Sequence, residues 1–348
     1  MLAVFRADAS SDIGGGHVMR CLVLADALTA SGWQCGFASN ALAPDLIEGL
    51  NRHDVLAVPP GVDAVTVMRD RWGKRWDLGV VDHYGLDAAF ESRMRDRAAR
   101  ILVIDDIHDR PHDCDLLLDQ TQGRTKNAYA GLMPKRCKML LGTRYALLRP
   151  AFSALRGKAL KSRARRSGIN RVLVAFGLTD PMNLTLMAID VLQGLALEIA
   201  VDVVLGGQAP HLESVRRKAA KASKSVIVHA GADAETVAGM MAEADLALGA
   251  PGTSSWERGC LGLPSVLVGF AANQIGVAAA LQETGAAVNL GHHKTVTPGR
   301  LSDTLSSLAL DSGRLQQMSE AAAGLCDGHG AARVLEAISN DTGKMTNK

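Results

Sequence analysis

Short apolar runs rich in Val, Ile, Leu and Phe recur along the chain and alternate with segments of helical periodicity. Residues 2–6, 34–38, 55–58, 78–82 and 101–105 read as strands in the first half. Residues 171–176, 199–205, 225–229, 245–249 and 265–269 repeat the pattern in the second. Helical segments fill the gaps, so the order is that of βαβ units and of parallel sheets. The predicted class is α/β, with two Rossmann-like doubly wound domains facing across a cleft.

The length of 348 residues agrees, since it suits two domains of about 150 to 170 residues better than one core. We place the first domain at residues 1–150 and the second at 169–340. Between them, residues 151–168 contain RGKALKSRARR, a run with six basic residues and no acid, read as a solvated connection. Residues 315–339 are Ala-rich and favour helix. The tail DTGKMTNK beyond them lacks an apolar anchor and is expected to fray.

Charge narrows the partners. With 38 basic and 36 acidic residues the net charge is +2, which gives no general attraction to nucleic acid or to a membrane surface. Six cysteines lie scattered without a CxxC or Cys/His ligand spacing, so neither structural zinc nor a disulfide framework is indicated. The N-terminus MLAVFRADAS lacks the features of a signal peptide, and no apolar run approaches the ~18 residues of a membrane span. A cytoplasmic monomer acting on a small molecule is the expectation.

Five segments can carry chemistry. In FRADASSDIGGGHVMRCLVL the first strand passes through Arg6 and Asp8 into Gly14, Gly15 and Gly16, and a helix starts at His17. Consecutive glycines let backbone amides approach a ligand, and a helix N-terminus favours a phosphate. A neutral imidazole there can accept a proton from water. The spacing fits neither a P-loop nor GxGxxG, and a glycine turn with a capping histidine is the structural alternative.

In the second half, LALGAPGTSSWERGCLGLP runs from a strand into a helix beginning near Ser254, where hydroxyls and amides of Ser254 and Ser255 suit a diphosphate. Glu257 could accept from ribose hydroxyls, or could cap Ser254 in a capping box. Asn273 and Gln274 open the following helix and could bond sugar hydroxyls or acetamido groups, or simply cap it. Asp82, His83 and Tyr84 lie beyond a strand end, with Tyr84 a candidate for the sugar pocket. Gly177 and Asp180, in VAFGLTDPMN, sit at the corresponding place in the second domain. IDDIHDRPHDCDLLLDQ, with Asp105, Asp106, His108, Asp109, His112 and Asp113, invites a metal reading. These residue types are also ordinary turn and cap formers, and no ligand spacing emerges, so no metal and no cofactor are expected.

Taken together, RADASSDIGGGHVMRC, VVDHYGLD, IDDIHDRPHDCDLLLDQ, GTRYALLRPAF, FGLTDPMN and GTSSWERGCLGLP with Asn273 and Gln274 resemble the UDP-sugar hydrolases of pseudaminic acid biosynthesis, related in fold to GT-B glycosyltransferases. The resemblance spans residues 6–274 and implies hydrolysis of UDP-2,4-diacetamido-2,4,6-trideoxy-β-L-altropyranose to free sugar and UDP, with inversion and without a metal. It implies a cytoplasmic step toward the sugar used in flagellin glycosylation. It places the catalytic base on His17 and UDP binding on Ser254, Ser255 and Glu257. Leu178 departs from the family, which more often has a second glycine after Gly177, so contacts of that loop can differ.

A transferase with a UDP-amino-sugar donor is the main rival, because helix-held UDP and a histidine base would serve an acceptor hydroxyl equally well. A UDP-sugar epimerase and a sensor that binds UDP-sugar without turnover are further alternatives.

Overall fold

In a computed structural model of the chain, residues 1–10, 14–47, 49–73 and 75–342 are described. Two parts of the expectations, residues 11–13 of the Gly-rich loop and 343–348 of the tail, lie outside them. The chain divides into two units, Met1–Leu147 with His329–Lys348, and Leu148–Gly328.

The first unit holds a parallel sheet of β1 (Leu2–Ala7), β2 (Gln34–Ser39), β3 (Asp54–Ala57), β4 (Leu78–Asp82), β5 (Ile101–Ile104), β6 (Leu116–Asp119) and β7 (Lys138–Leu141), in the order β3-β2-β1-β4-β5-β6-β7. Its helices are α1 (Gly16–Ala30), α2 (Ala43–Leu46), α3 (Ala64–Trp72) and α4 (Ala88–Arg95). Side chains alternate across the sheet, and both faces are covered. Ala3, Phe5, Leu78, Val80, Leu102 and Ile104 pack with α1 on one side. Val4, Val81, Ile101 and Val103 pack with α3 and α4 on the other.

The second unit begins with α5 (Pro150–Arg163). Its parallel sheet is built from β8 (Arg171–Ala175), β9 (Ala200–Leu205), β10 (Val226–Ala230), β11 (Leu246–Gly249), β12 (Ser265–Gly269) and β13 (Ala287–His292), in the order β10-β9-β8-β11-β12-β13. Between and after these strands come α6 (Leu184–Gly194), α7 (Leu212–Ala219), α8 (Ala234–Glu243), α9 (Ser254–Cys260), α10 (Asn273–Glu283), α11 (Pro298–Leu310) and α12 (Ser312–Ala323). Both sheets start in the middle and reverse direction of growth, between β1 and β4 and between β8 and β11. Ligands of open α/β sheets bind beyond the strand ends at such points. Among the described residues no helix is long and apolar enough to cross a membrane.

Two boundaries differ from those read in the sequence. The basic run at 151–168 is not a solvated connection but mostly α5, with Pro150 at its start. Three of its arginines satisfy carbonyls that helix ends leave unpaired. Arg156 donates to Cys260 O at 2.6 Å and Ala323 O at 2.8 Å. Arg163 donates to Leu261 O at 2.8 Å, to Ala244 O at 2.6 Å and to Met241 O. Arg166 donates to Glu243 O at 2.7 Å. The charge pattern concealed this because the acceptors are backbone atoms.

The second difference is at the C-terminus. The Ala-rich stretch is two helices, α12 and α13 (Gly330–Thr342), and α13 returns to the first unit instead of closing the second. Val334 and Ile338, both fully buried, join the α1 side of the first core, and Arg100 donates to Ile338 O. Ile338→Ala is therefore expected to lower the unfolding free energy of the first unit by about 3 kcal/mol. Urea denaturation followed by circular dichroism measures it, and a change within about 0.5 kcal/mol would contradict this packing.

Candidate active site

The first sheet changes direction between β1 and β4, which pair in parallel from Ala3↔Leu78 to Ala7↔Asp82. This register sets Asp82, the last residue of β4, beside the end of β1, from which the chain passes to α1. Gly14, at φ +72°, adopts a left-handed conformation that suits glycine, and exchanges paired backbone bonds with Ser10. Gly15 then stands as the N-cap, Gly16 opens α1, and His17 occupies its first turn.

There His17 meets Asp82. Its Nδ1 lies 2.7 Å from Asp82 Oδ1, and the carboxylate is fully buried. Arg20, one turn further along α1, holds the same carboxylate with two donors, Nε to Oδ2 at 2.6 Å and Nη2 to Oδ1 at 2.7 Å. Burial opposes ionisation of Asp82, but the charge of Arg20 and the hydrogen bonds from Arg20 and His17 outweigh it and hold the carboxyl well below the usual carboxylate range. An ionised carboxylate only accepts, so the proton of a neutral His17 resides on Nδ1 and the lone pair on Nε2. Tyr84 packs edge-on against the imidazole, with ring centroids 4.3 Å apart. This is the arrangement of a general base whose orientation is fixed by a buried acid.

Arg6 and Asp8 bond chiefly to each other and to the surrounding loops. Arg6 forms an ion pair with Asp8. Asp8 also accepts from Asn40 N at 2.8 Å and lies 3.1 Å from His83 Nε2. Desolvation would raise the Asp8 carboxyl, but His83 and Arg6 keep it well below its ordinary value. His83 accepts from Gly85 N through Nδ1 at 2.9 Å, so its remaining proton points to Asp8. It is a satisfied structural histidine.

The acidic and His-rich segment after β5 is likewise tied into the first unit. Tyr129 donates its hydroxyl to a site shared by Asp105 and Asp119, His112 Nδ1 sits 2.6 Å from Glu91 Oε1, and Arg110 pairs with Asp105. Among the described residues no group of three or more His, Cys, Asp or Glu is arranged to hold a metal ion. Asp106 differs from its neighbours by reaching the His17 cluster, where it accepts from Arg20 Nη1 at 2.8 Å.

In the second unit the corresponding direction change brings together the loops after β8 and β11. Gly249, the last residue of β11, lies against Ala175 O and Arg258, leaving no room for a Cβ. Arg258 is buried; it donates to Ser254 Oγ at 3.2 Å, Ser255 Oγ at 2.9 Å and Ala250 O at 2.9 Å. Burial pushes this guanidinium down to about 10, against the charge of Glu257. Because Arg258 occupies acceptor positions on both serines, each hydroxyl keeps its own proton to donate. Glu257 pairs with Arg149 at 3.0 Å, which replaces the capping box with Ser254. Gln274 accepts from Phe270 N at 2.9 Å and Ala271 N at 3.3 Å, the capping alternative, while the neighbouring Asn273 begins α10.

Asp180 is buried and uses both carboxylate oxygens on α6, accepting from Leu184 N at 2.9 Å and Thr185 N at 2.8 Å. Gly177, Asp180 and Asn183 all have positive φ, and Leu178 O accepts from Gly206 N, so this loop is held in one sharp course.

Sequence reasoning singled out His17, weighed Asp106 only for a metal, and gave no role to Asp82 or Arg20. The available signal was local spacing: Arg20 and Cys21, three and four residues after His17, share its helix face.

No family model matches the chain. It is 28% identical over 190 residues to the UDP-2,4-diacetamido-2,4,6-trideoxy-β-L-altropyranose hydrolase of Campylobacter jejuni, a match covering 53% of this chain and 64% of that protein. The chain thus spans less than two thirds of that relative. It is 25% identical over 333 residues to the spore coat polysaccharide biosynthesis protein SpsG of Bacillus subtilis, covering 94% and 95% of the two chains. Among solved structures, MurG of Acinetobacter baumannii superposes with a TM-score of 0.66 at 16% identity over 98% of this chain and 100% of its own. The fold is GT-B-like. Alr3699/HepE of Anabaena, solved in complex with UDP and glucose, shares this GT-B-like fold at a TM-score of 0.59 and 15% identity, over 98% and 100% of the chains. The likeness to the UDP-sugar hydrolases seen in the motifs thus has counterparts in sequence identity and in architecture.

Two predictions follow from these bonds. Asp82 has a folded-state value below its unfolded one, so its contribution to stability is complete above about pH 4 and is lost as pH falls further. Asp82→Asn should cost about 3 kcal/mol at pH 7 and flatten the decline in stability below pH 4, measured by urea titrations across pH. Asp180→Ala should destabilise the second unit by about 1 kcal/mol, and Asp180→Ser, which can still cap α6, should recover most of it. Equal losses in both variants would argue against the capping role.

Proposed function

We propose that the protein is a metal-independent hydrolase that cleaves UDP-2,4-diacetamido-2,4,6-trideoxy-β-L-altropyranose to free sugar and UDP in pseudaminic acid biosynthesis. The observation that carries this reading is His17 at the start of α1 with Nδ1 held by the buried Asp82 carboxylate. In that tautomer Nε2 takes a proton from water as the water oxygen bonds to the anomeric carbon. The bond from that carbon to the β-phosphate oxygen breaks on the opposite face, its electron pair leaves with UDP, and the sugar is released with inversion. The similarity to the Campylobacter hydrolase supports the substrate class.

In this reading Tyr84 lines the sugar site beside His17, and the amides of Gly15 and Gly16 approach the substrate with Arg6 and Asp8 shaping the loop. UDP is assigned to the second unit. Ser254 and Ser255 can donate their hydroxyl protons to phosphate oxygens, and Glu257, with two oxygens, can accept from Arg149 and from a ribose hydroxyl together. Gly177, Asp180, Asn273 and Gln274 shape the loops around the nucleotide sugar. UDP is a fair leaving group once backbone amides meet its charge, so the reaction needs no Lewis acid. The proposed enzyme is a cytoplasmic monomer.

A GT-B glycosyltransferase with a UDP-amino-sugar donor is the second reading, favoured by the likeness to MurG in fold. The test is proton NMR of the protein with the altrose nucleotide and with UDP-GlcNAc in EDTA, beside His17→Ala. Free sugar and UDP should form from the first donor, with turnover falling at least 10²-fold in His17→Ala while UDP binding is kept. Turnover only after an acceptor is added would replace the hydrolase by the transferase.

A further inference from the structure

The bonds around Arg20 carry one step more. This guanidinium, 4% exposed, is shared by two carboxylates from adjacent strand ends: Asp82 at the end of β4 and Asp106 beyond β5. It reaches Asp106 at 2.8 Å through Nη1 while the other two nitrogens hold Asp82. Such a fork geometry is available to arginine and not to lysine. Asp106 is itself mostly covered, and its Oδ1 is buried without a hydrogen-bond partner. A buried carboxylate oxygen left without a donor is costly unless the charge is used.

Counting charges gives that use. Asp82 and Asp106 contribute −2 and Arg20 +1, so the cluster facing neutral His17 carries −1. Without Asp106 it would carry zero. A proton arriving on His17 then brings the four groups to neutrality, whereas without Asp106 it would leave a buried excess of +1. Among the described residues, the other titratable groups at the cluster are Cys21 on α1, which meets Asp82 at 3.6 Å and whose thiol is pushed up by burial and by Asp82, and Tyr84 beyond β4, which packs on the imidazole. Neither adds charge at neutral pH. Around Asp106, Arg124 donates to its backbone carbonyl and pairs with Asp119, so Arg124 and Asp119 form a separate, balanced pair.

Resting on the reading of His17 as the base, we propose that Asp106 is a positioning residue for the reaction: acting through Arg20, it supplies the excess negative charge that stabilises His17 when it takes the proton from water. Asp82 sets the tautomer and orientation of the imidazole; Asp106 sets the sign of the cluster. In this proposal Asp106 acts through Arg20 and not on the substrate, so its loss acts on kcat and not on KM.

Two readouts test this on the full-length protein, Asp106→Asn and Asp106→Glu. The first is the NMR titration of His17 in histidine-labelled protein, assigned by the peak missing in His17→Gln, which requires no turnover. The second is the pH profile of hydrolysis of the altrose nucleotide. Asp106→Asn should move the His17 titration and the acid limb of the kcat profile to lower pH. It should lower kcat about tenfold with KM unchanged, a part of the 10²–10⁴ a general base supplies. Asp106→Glu should restore both, and Asp106→Asn should cost nothing further in a His17→Ala background. An unmoved titration in a folded Asp106→Asn protein would overturn the proposal whatever the activity of His17→Ala. A moved titration with His17→Ala fully active would retain the electrostatic coupling and remove the hydrolase reading beneath it.

Discussion

The carboxylate of Asp82 is the constraint on which the first unit's site depends. It is wholly removed from water, and an ionised group there persists only with matched charge and donors. Arg20 supplies two of these donors and His17 a third, and both come from one face of α1. The position of α1 over the β1–β4 junction, the entry turn at Gly14 and the apolar seam between α1 and α13 all serve to keep those donors in place. Loss of the carboxylate would leave Arg20 with Asp106 alone and free the imidazole to turn.

The second unit shows the same logic with a buried cation at the centre. Among the described residues Arg258 has no acidic hydrogen-bond partner; instead it gathers two serine hydroxyls and a backbone carbonyl at the start of α9. Its burial fixes the loop after β11, much as Asp180 fixes the loop after β8. The described polar groups at each direction change are thus bonded internally, which favours a defined surface for a ligand.

The strands of both sheets were legible because buried parallel strands are apolar and evenly spaced. Three escaped notice. Leu116–Asp119 and Lys138–Leu141 are four residues long, and Ala287–His292 carries Asn and Gly within it. His17 stood out because three glycines precede it at a strand end. Asp82 did not, since an aspartate after a strand is common, and only the pairing of β1 with β4 places it beside His17. Arg156, Arg163 and Arg166 looked solvated for a related reason: their partners are carbonyls some 80 to 170 residues away, which no local charge pattern reveals. Long-range partners of buried ions are a property of topology, not of composition.

The central claim is that water, activated at His17, attacks the anomeric carbon. Running the reaction in ¹⁸O-labelled water and following both products by mass spectrometry, with the first-formed anomer read by NMR, tests it most directly. The account predicts the label in the sugar hydroxyl, none in UDP, and an initially inverted anomer. Label in the β-phosphate of UDP, or a retained anomer, would contradict it.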